Sequence, residues 1–154
     1  MTLIRSISGI RGTIGGKQGE SLTAADIIHF TSSFAVFQKN KSKKNKIKIV
    51  VGRDARLSGD MISRLVTGTL ISMGANVIDI GLSTTPTVEI AVPEEKADGG
   101  IIITASHNPK NWNALKFVNS NGELITSAES KEYLDIVDNN SIIYSEVDKL
   151  GIAT

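Results

Sequence analysis

Apolar residues along this chain fall into short runs that end in polar turns. Runs rich in Ile and Val occupy residues 47–52, 75–80 and 101–103, and such runs are typical of strands that are covered on both faces. Between them, apolar positions recur at helical spacing, as from Met61 to Leu70. This alternation of strand, polar turn and helix predicts an α/β domain with a mainly parallel sheet.

Polar residues mark the predicted starts of the helices. Thr23 and Asp26 form a capping-box-like start for a first helix within residues 21–40. Ser58 is a candidate cap for the second helix. The third helix is predicted to begin at Pro86, with Thr84 or Thr85 as its cap, and the last to cover residues 126–138.

Composition narrows the class of protein. The chain has 154 residues, 40% of them hydrophobic and 21% charged, which suits one globular domain with a substantial core. A net charge of +1 argues against nucleic-acid or membrane partners, and the six lysines of residues 39–48 lack interleaved aromatic residues. The sequence has no cysteine, no signal-peptide pattern and no long apolar run, so a cytoplasmic protein is expected.

Candidate chemistry is concentrated in residues 99–109. Two glycines and three isoleucines are followed within a few residues by Ser106, His107, Asn108 and Pro109. A rigid strand would thus place a hydroxyl and an imidazole at the carboxyl end of the sheet, where open α/β sheets usually bind ligands. The alternative is a Ser/Asn turn whose side chains satisfy local backbone groups.

Two basic residues are further candidates. Arg11 lies between Gly9 and Gly12 in a glycine-rich stretch that lets the backbone approach a ligand closely, although a solvated loop charge would look the same. Lys116 lies between Leu115 and Phe117 in an extended run. Its ammonium group is therefore expected on the face opposite those two side chains.

Three motifs occur in a fixed order: Ser-Gly-Ile-Arg-Gly at 8–12, Gly-Arg-Asp-Ala-Arg at 52–56 and Thr-Ala-Ser-His-Asn-Pro at 104–109, with Lys116 just beyond. Together they resemble the first domain of the α-D-phosphohexomutases, which include phosphoglucomutase, phosphomannomutase and phosphoglucosamine mutase. The resemblance implies a three-layer α/β/α domain with a mixed, mostly parallel four-stranded sheet whose first strand opposes the others. Residues 1–138 would form this domain, and residues 139–154 a connector toward an absent second domain.

The resemblance also implies a reaction. Ser106 would carry a phosphoryl group, and a hexose 1,6-bisphosphate would be the intermediate and activator as phosphate moves between the 1- and 6-hydroxyls of a hexose phosphate. Arg11, His107 and Lys116 would face the phosphate, with Lys116 as the proton-transfer group. Mg²⁺ would bind Ser106 through its phosphate, with most of its ligands in the second domain. Arg53 and Asp54 are expected to form a scaffold ion pair.

The chain also departs from the family pattern. Trp112-Asn113-Ala114 stands where the family often has Tyr-Asn-Gly, so a negative φ is expected at Ala114. The sugar-reading loop is missing, and the sequence therefore does not choose among glucose, mannose and glucosamine phosphates. The fragment alone is expected to be inactive, and to dimerise through apolar residues of the connector: Ile142, Ile143 and Tyr144.

There are two alternatives to the mutase. One is a stand-alone phosphate-binding or regulatory module without catalysis, and it stays open. The other is a serine hydrolase that uses Ser106 and His107. The hydrolase is disfavoured because adjacent residues of a strand point apart and the chain has no Gly-x-Ser-x-Gly elbow.

Overall fold

Strands and helices alternate along the chain in the computed structural model, which describes residues 1–154. The strands are β1 (Ile4–Ser6), β2 (Gly9–Thr13), β3 (Lys48–Arg53), β4 (Asn76–Leu82), β5 (Gly99–Ile103) and β6 (Trp112–Val118). The helices are α1 (Ala24–Ser42), α2 (Gly59–Ser72), α3 (Thr85–Glu94) and α4 (Ser127–Asn139), followed by a 3₁₀ turn at Val147–Lys149. The predicted α/β class is confirmed.

The strands form one mixed sheet in the order β1-β2-β6-β5-β3-β4. Strands β4, β3 and β5 are parallel neighbours, whereas β6 lies antiparallel between β5 and β2. The prediction of four strands with only the first reversed was wrong, because the sheet has six strands and both β1 and β6 run against the others. Gly9, at a φ of +108°, helps turn the chain between β1 and β2, so the amino-terminal segment contributes a hairpin rather than a single strand.

The two faces of the sheet are covered unequally. The closed face carries α1, α2 and α4 and holds a cluster of 23 buried apolar residues. At its centre the Phe117 ring stacks on Phe34 and tilts against Tyr133, with ring centroids 4.5 and 4.7 Å apart. The open face carries α3 alone, which packs on β3 and β5 around a cluster of six buried residues. The predicted three-layer arrangement is therefore confirmed.

Two glycines let α3 approach the sheet closely. A Cβ on Gly100 would lie 2.8 Å from Cγ2 of Val92, and one on Gly52 would lie 2.6 Å from Cγ2 of Val88. Both distances are shorter than a normal van der Waals contact, so the helix could not sit at this height over bulkier residues. Since α3 lies over β3 and β5, the face beyond it, over β2 and β6, is left for the cavity described below.

The predicted helix starts are mostly confirmed. Thr23 and Asp26 form a complete capping box at α1, and the Thr84 hydroxyl accepts a hydrogen bond from the Thr87 amide at α3. Ser58 precedes α2, but its side chain does not cap the helix. Its hydroxyl instead accepts a hydrogen bond of 2.8 Å from the fully buried Asn113 amide, which needs a partner inside the protein.

Residues 139–154 lie against the domain. Near the start of this segment, Ser145 donates its backbone N–H to the carbonyl oxygen of Ser72. Near its end it forms a parallel bridge to the outer edge of β4, where Val77 donates to Ile152 and accepts from Thr154. The segment thus adds backbone hydrogen bonds to the outer edge of β4, which has no other strand beside it.

The three apolar residues through which dimerisation was expected differ in their surroundings. Ile142 packs against the main core, and the Tyr144 hydroxyl lies 3.1 Å from that of Ser32. Only Ile143 projects fully, with 85% of its surface exposed. Elsewhere in the fold, no helix combines the length and apolar character that a membrane crossing requires.

Candidate active site

Ser106 lies in the loop that joins β5 to β6, and its backbone is unusual. Its φ of +52° is in the left-handed region, which non-glycine residues seldom adopt. Its amide donates to the Thr104 hydroxyl at 3.2 Å, while the Asn108 amide donates to the carbonyl of Ala105 at 3.0 Å. The Ser106 hydroxyl accepts a 2.9 Å hydrogen bond from the ammonium group of Lys116. The hydroxyl therefore faces a charged side chain rather than a local backbone group.

Strand alternation places Lys116 and Arg11 on the same face of the sheet. Leu115 and Phe117 are buried in the closed face, and Lys116 between them points to the open face as predicted. Arg11 of β2 pairs directly with Ala114 of β6, two residues before Lys116. Residues opposite each other in an antiparallel pair project from the same face, so Arg11, Ala114 and Lys116 share it. The φ of Ala114 is not positive, in line with the expectation from the sequence.

A cavity of about 250 Å³ opens between these residues. Its lining has no carboxylate and consists of Ser8, Arg11, Ala105, Ser106, His107, Asn108, Ala114 and Lys116. The four site residues named from the sequence, which are far apart along the chain, thus converge here. The Nε of Arg11 is buried and has no hydrogen-bond acceptor in the chain. Arg11 as a whole lines the cavity, so the charge of its guanidinium group can attract an anion there.

The sequence did not identify Arg56 as part of this region. Its guanidinium group is nearly buried and donates to four backbone carbonyls of the Ser106 loop and the start of β6, those of Ser106, Asn108, Pro109 and Trp112. The one available signal was the second arginine of the Gly-Arg-Asp-Ala-Arg motif at 52–56. Nothing in its spacing indicated partners about fifty residues away.

The prediction of an ion pair between Arg53 and Asp54 was wrong. The Asp54 carboxylate lies 3.4 Å from Nε of Arg56, close enough for charge attraction but without the geometry of a hydrogen bond. The same carboxylate accepts a 2.6 Å hydrogen bond from the Thr104 hydroxyl. Arg53 donates to the backbone carbonyl of Asp54 instead. Neighbouring residues at the end of a strand point in different directions, so Asp54 pairs with the residue two positions later.

Magnesium is implied by the family resemblance, and the residues at the cavity do not fit it on their own. Mg²⁺ usually binds carboxylates together with phosphate oxygens and waters. The cavity offers the hydroxyl of Ser106 but no carboxylate. No group of three or more acidic, histidine or cysteine side chains in the chain is placed to hold a metal ion. Arg11 and Lys116 make the cavity suitable for an anion instead.

The chain is similar to proteins of one known family. Residues 3–142 match the family described as "Phosphoglucomutase/phosphomannomutase, alpha/beta/alpha domain I". The phosphoglucosamine mutase of Helicobacter pylori (strain Shi470) is 36% identical over 138 residues, which make up 88% of this chain and 31% of that protein. A phosphoglucomutase/phosphomannomutase of Thermococcus kodakarensis is 37% identical over 113 residues, or 72% of this chain and 25% of that protein.

Solved structures show the same fold. A chain from Thermus thermophilus superposes with a TM-score of 0.77 and 29% identity, over 89% of this chain and 30% of its own. A phosphoglucomutase/phosphomannomutase family protein of Burkholderia thailandensis gives a TM-score of 0.73 at 23% identity, over 98% of this chain and 33% of its own. The chain spans between a quarter and a third of the length of the curated relatives above. It belongs to the phosphoglucomutase/phosphomannomutase family, whose α/β/α domain I it matches over residues 3–142.

Proposed function

We propose that this chain is the phosphoserine-bearing domain of a cytoplasmic phosphohexomutase, which interconverts hexose 1-phosphates and 6-phosphates through a hexose bisphosphate. The observation that carries the proposal is the 2.9 Å contact between the Lys116 ammonium and the Ser106 hydroxyl in a cavity without carboxylates. The names of the relatives, phosphoglucosamine mutase and phosphoglucomutase/phosphomannomutase, support the same class of reaction.

The charges around Ser106 suit a phosphoryl group. A phosphoserine carries a charge of about −2 at neutral pH and needs cations and hydrogen-bond donors nearby. Arg11 lines the cavity with its guanidinium group, Lys116 offers its ammonium group, and the His107 ring is available from the same loop as Ser106. With no acidic side chain lining the cavity, these groups act on the phosphate without competition from a local carboxylate.

The proposed transfer breaks the ester bond between phosphorus and Oγ of Ser106 and forms one between phosphorus and a sugar hydroxyl oxygen. The net movement of the proton is from that sugar hydroxyl to Oγ of Ser106. Lys116 lies within hydrogen-bond distance of Oγ and can carry this proton. The sugar bisphosphate then reorients, and the reverse transfer returns its other phosphoryl group to Ser106.

The proposed reaction also needs groups that the cavity lining does not supply. A hexose 1,6-bisphosphate would prime Ser106, and any Mg²⁺ would need carboxylates that the cavity lining does not supply. The isolated chain is therefore expected to be inactive, since positioning of reactants alone can lower a barrier by roughly 7–11 kcal/mol. A coupled mutase assay with glucose 1-phosphate, its bisphosphate and Mg²⁺ tests this. Turnover that Ser106→Ala abolishes would show that the isolated chain is a complete catalyst.

A chimera tests the role of Ser106 directly. Residues 3–142 would replace the matching segment of the Helicobacter pylori phosphoglucosamine mutase. We expect mutase turnover and a phosphate on the Ser106 peptide, both lost in Ser106→Ala. The matched control is Ser120→Ala, because Ser120 is an exposed turn serine. A folded chimera that keeps its turnover after Ser106→Ala would refute the proposal. Phosphate binding without any transfer would favour the non-catalytic module.

A further inference from the structure

Arg56 has more hydrogen-bond partners in the Ser106 loop than any other side chain. One terminal nitrogen, Nη2, donates to the carbonyls of Ser106 and Asn108 at 2.9 and 2.8 Å. The other, Nη1, donates to those of Pro109 and Trp112 at 2.7 and 3.2 Å. Guanidinium is planar and presents its donors in a fixed fork, so one rigid group sets four carbonyl positions at once.

A second set of contacts holds the start of the same loop, through the hydroxyl group of Thr104. The Asp54 carboxylate accepts from Thr104, and the Thr104 hydroxyl oxygen accepts from the amide of Ser106. Asp54 also lies beside Arg56, which it attracts by charge. The Gly-Arg-Asp-Ala-Arg turn thus holds Ser106 from its amide side through Asp54 and from its carbonyl side through Arg56.

These contacts matter because Ser106 has an unfavourable backbone conformation. The left-handed backbone of Ser106 is unfavourable for a non-glycine residue, and it persists only where surrounding contacts enforce it. Hydrogen bonds from a charged donor are each stronger than neutral ones. One of the four bonds from Arg56 is accepted by Ser106 itself and the other three by residues that follow it, so Arg56 restrains Ser106 in this conformation.

The carbonyl contact also sets the direction of an amide. The chain has no cis peptide bond, and a trans peptide directs its C=O and N–H to opposite sides. Because the Ser106 carbonyl faces Arg56, the N–H of His107 points away from Arg56, and that N–H has no acceptor within the chain. The N–H is left available to a ligand oxygen.

We propose that Arg56 is a positioning residue of the phosphate site: it holds Ser106 in its left-handed conformation and turns the His107 amide away from itself toward a bound phosphate. The ligand part of this statement rests on the proposed function, whereas the conformational part does not. Arg56 does not line the cavity, so it acts through the loop rather than on the phosphate.

The test uses the 154-residue chain, two substitutions and a matched control. Arg56→Lys keeps the positive charge but removes the fork, and Arg56→Ala leaves space for free guanidinium. Arg64→Lys is the control, since Arg64 is exposed and pairs only with Asp60 one helical turn away. Measurements are the amide NMR signals of Ser106 and His107, the affinity for inorganic phosphate, and the free energy of unfolding in urea.

We expect Arg56→Lys to shift the Ser106 and His107 amide signals and to weaken phosphate binding by about tenfold or more, given the strength of charged hydrogen bonds. Millimolar guanidinium should restore both in Arg56→Ala, whereas ammonium should not, and Arg64→Lys should change neither. Should Arg56→Ala fail to fold, Arg56→Lys decides alone. Comparing each effect with the change in unfolding free energy separates loop positioning from a loss of overall stability.

Two results separate this inference from the proposed function. A folded Arg56→Lys chain with unshifted Ser106 and His107 amides would overturn the positioning role, whatever its phosphate affinity. If the unmodified chain does not bind phosphate while Arg56→Lys still shifts these amides, the conformational role of Arg56 stands. In that case the phosphate site and its link to Arg56 fail.

Discussion

The two faces of the sheet are built from the same strands and differ in what they carry. On the closed face, three helices bury large apolar side chains, with the packed rings of Phe34, Phe117 and Tyr133 at the centre. On the open face, α3 covers part of the sheet with small and branched residues, and the rest carries Arg11 and Lys116. Lys116 and Phe117 are neighbours in sequence and lie on opposite sides of one strand.

This difference shows how one strand can serve stability and chemistry together. Burial of apolar surface stabilises a fold without regard to direction, so the closed face can supply most of it. The open face is then free to hold charges that would be costly to bury. Substitutions on the closed face should therefore mainly change stability, and substitutions of the charged residues on the open face should mainly change activity. The three predictions below run from the largest expected effect to the smallest.

The largest effect is expected from Phe117→Ala. This ring is 2% exposed and packs on two other aromatic rings, so its removal should lower the free energy of unfolding by about 3–5 kcal/mol. Lys116→Ala, one residue earlier, should change it by only about 1 kcal/mol or less while reducing turnover of the chimera by roughly 10²–10⁴-fold. Urea denaturation and the mutase assay measure the two quantities. Equal losses of stability would mean that the faces are not energetically distinct.

A smaller effect is expected from Gly100→Ala, which tests the fit of α3 to the open face. The new methyl group would lie 2.8 Å from Cγ2 of Val92 and 3.3 Å from the carbonyl oxygen of Val50. Such overpacking typically costs about 1–3 kcal/mol, and hydrogen exchange should rise first in α3. Gly68→Ala is the control: Gly68 lies in α2 with open space around it, so alanine should stabilise the chain by up to about 1 kcal/mol. Unchanged exchange in α3 would contradict the tight fit.

The smallest effect is expected from Tyr133→Phe at neutral pH. The Tyr133 hydroxyl donates a buried hydrogen bond of 2.8 Å to the carbonyl of Phe30, and its loss should cost about 1 kcal/mol. Burial raises the pKa of this hydroxyl well above its ordinary value, more than the nearby Arg5 lowers it. Above pH ~10, the ordinary pKa of tyrosine, the unfolded chain loses a proton that the folded chain retains, so stability falls as pH rises.

The substitution should therefore reduce this alkaline loss of stability. Unfolding free energies of both chains, measured from pH 7 upward in urea, give the difference at each pH, in which the contribution of the lysines cancels. We expect Tyr133→Phe to be the less stable chain at neutral pH and to lose less stability in alkali. A constant difference over the whole range would show that Tyr133 ionises equally well in the folded chain.

Local sequence signals predicted the elements well and their arrangement less well. The capping box of Thr23 and Asp26 and the cap at Thr84 involve groups three residues apart, so both could be identified from spacing alone. The sheet was predicted with too few strands, because β6 lies between β5, its neighbour in sequence, and β2, which is near the other end of the chain. Ser58 was predicted to cap α2 from the same kind of local signal. Its hydroxyl instead accepts a hydrogen bond from the buried Asn113, fifty-five residues away.

The sequence by itself indicated four residues that line the cavity, from motif order and from the alternation of strand side chains: Ser106, His107, Arg11 and Lys116. Only the tertiary structure decided what holds them. The partners of Arg56 are backbone carbonyls of a distant loop, and carbonyls are present at every residue, so no residue type marks them in advance. Asp54 likewise pairs with Arg56 because of the direction in which its strand ends. The chemistry of a side chain follows from its residue type, whereas a hydrogen bond to a backbone carbonyl depends on where folding has placed that part of the chain.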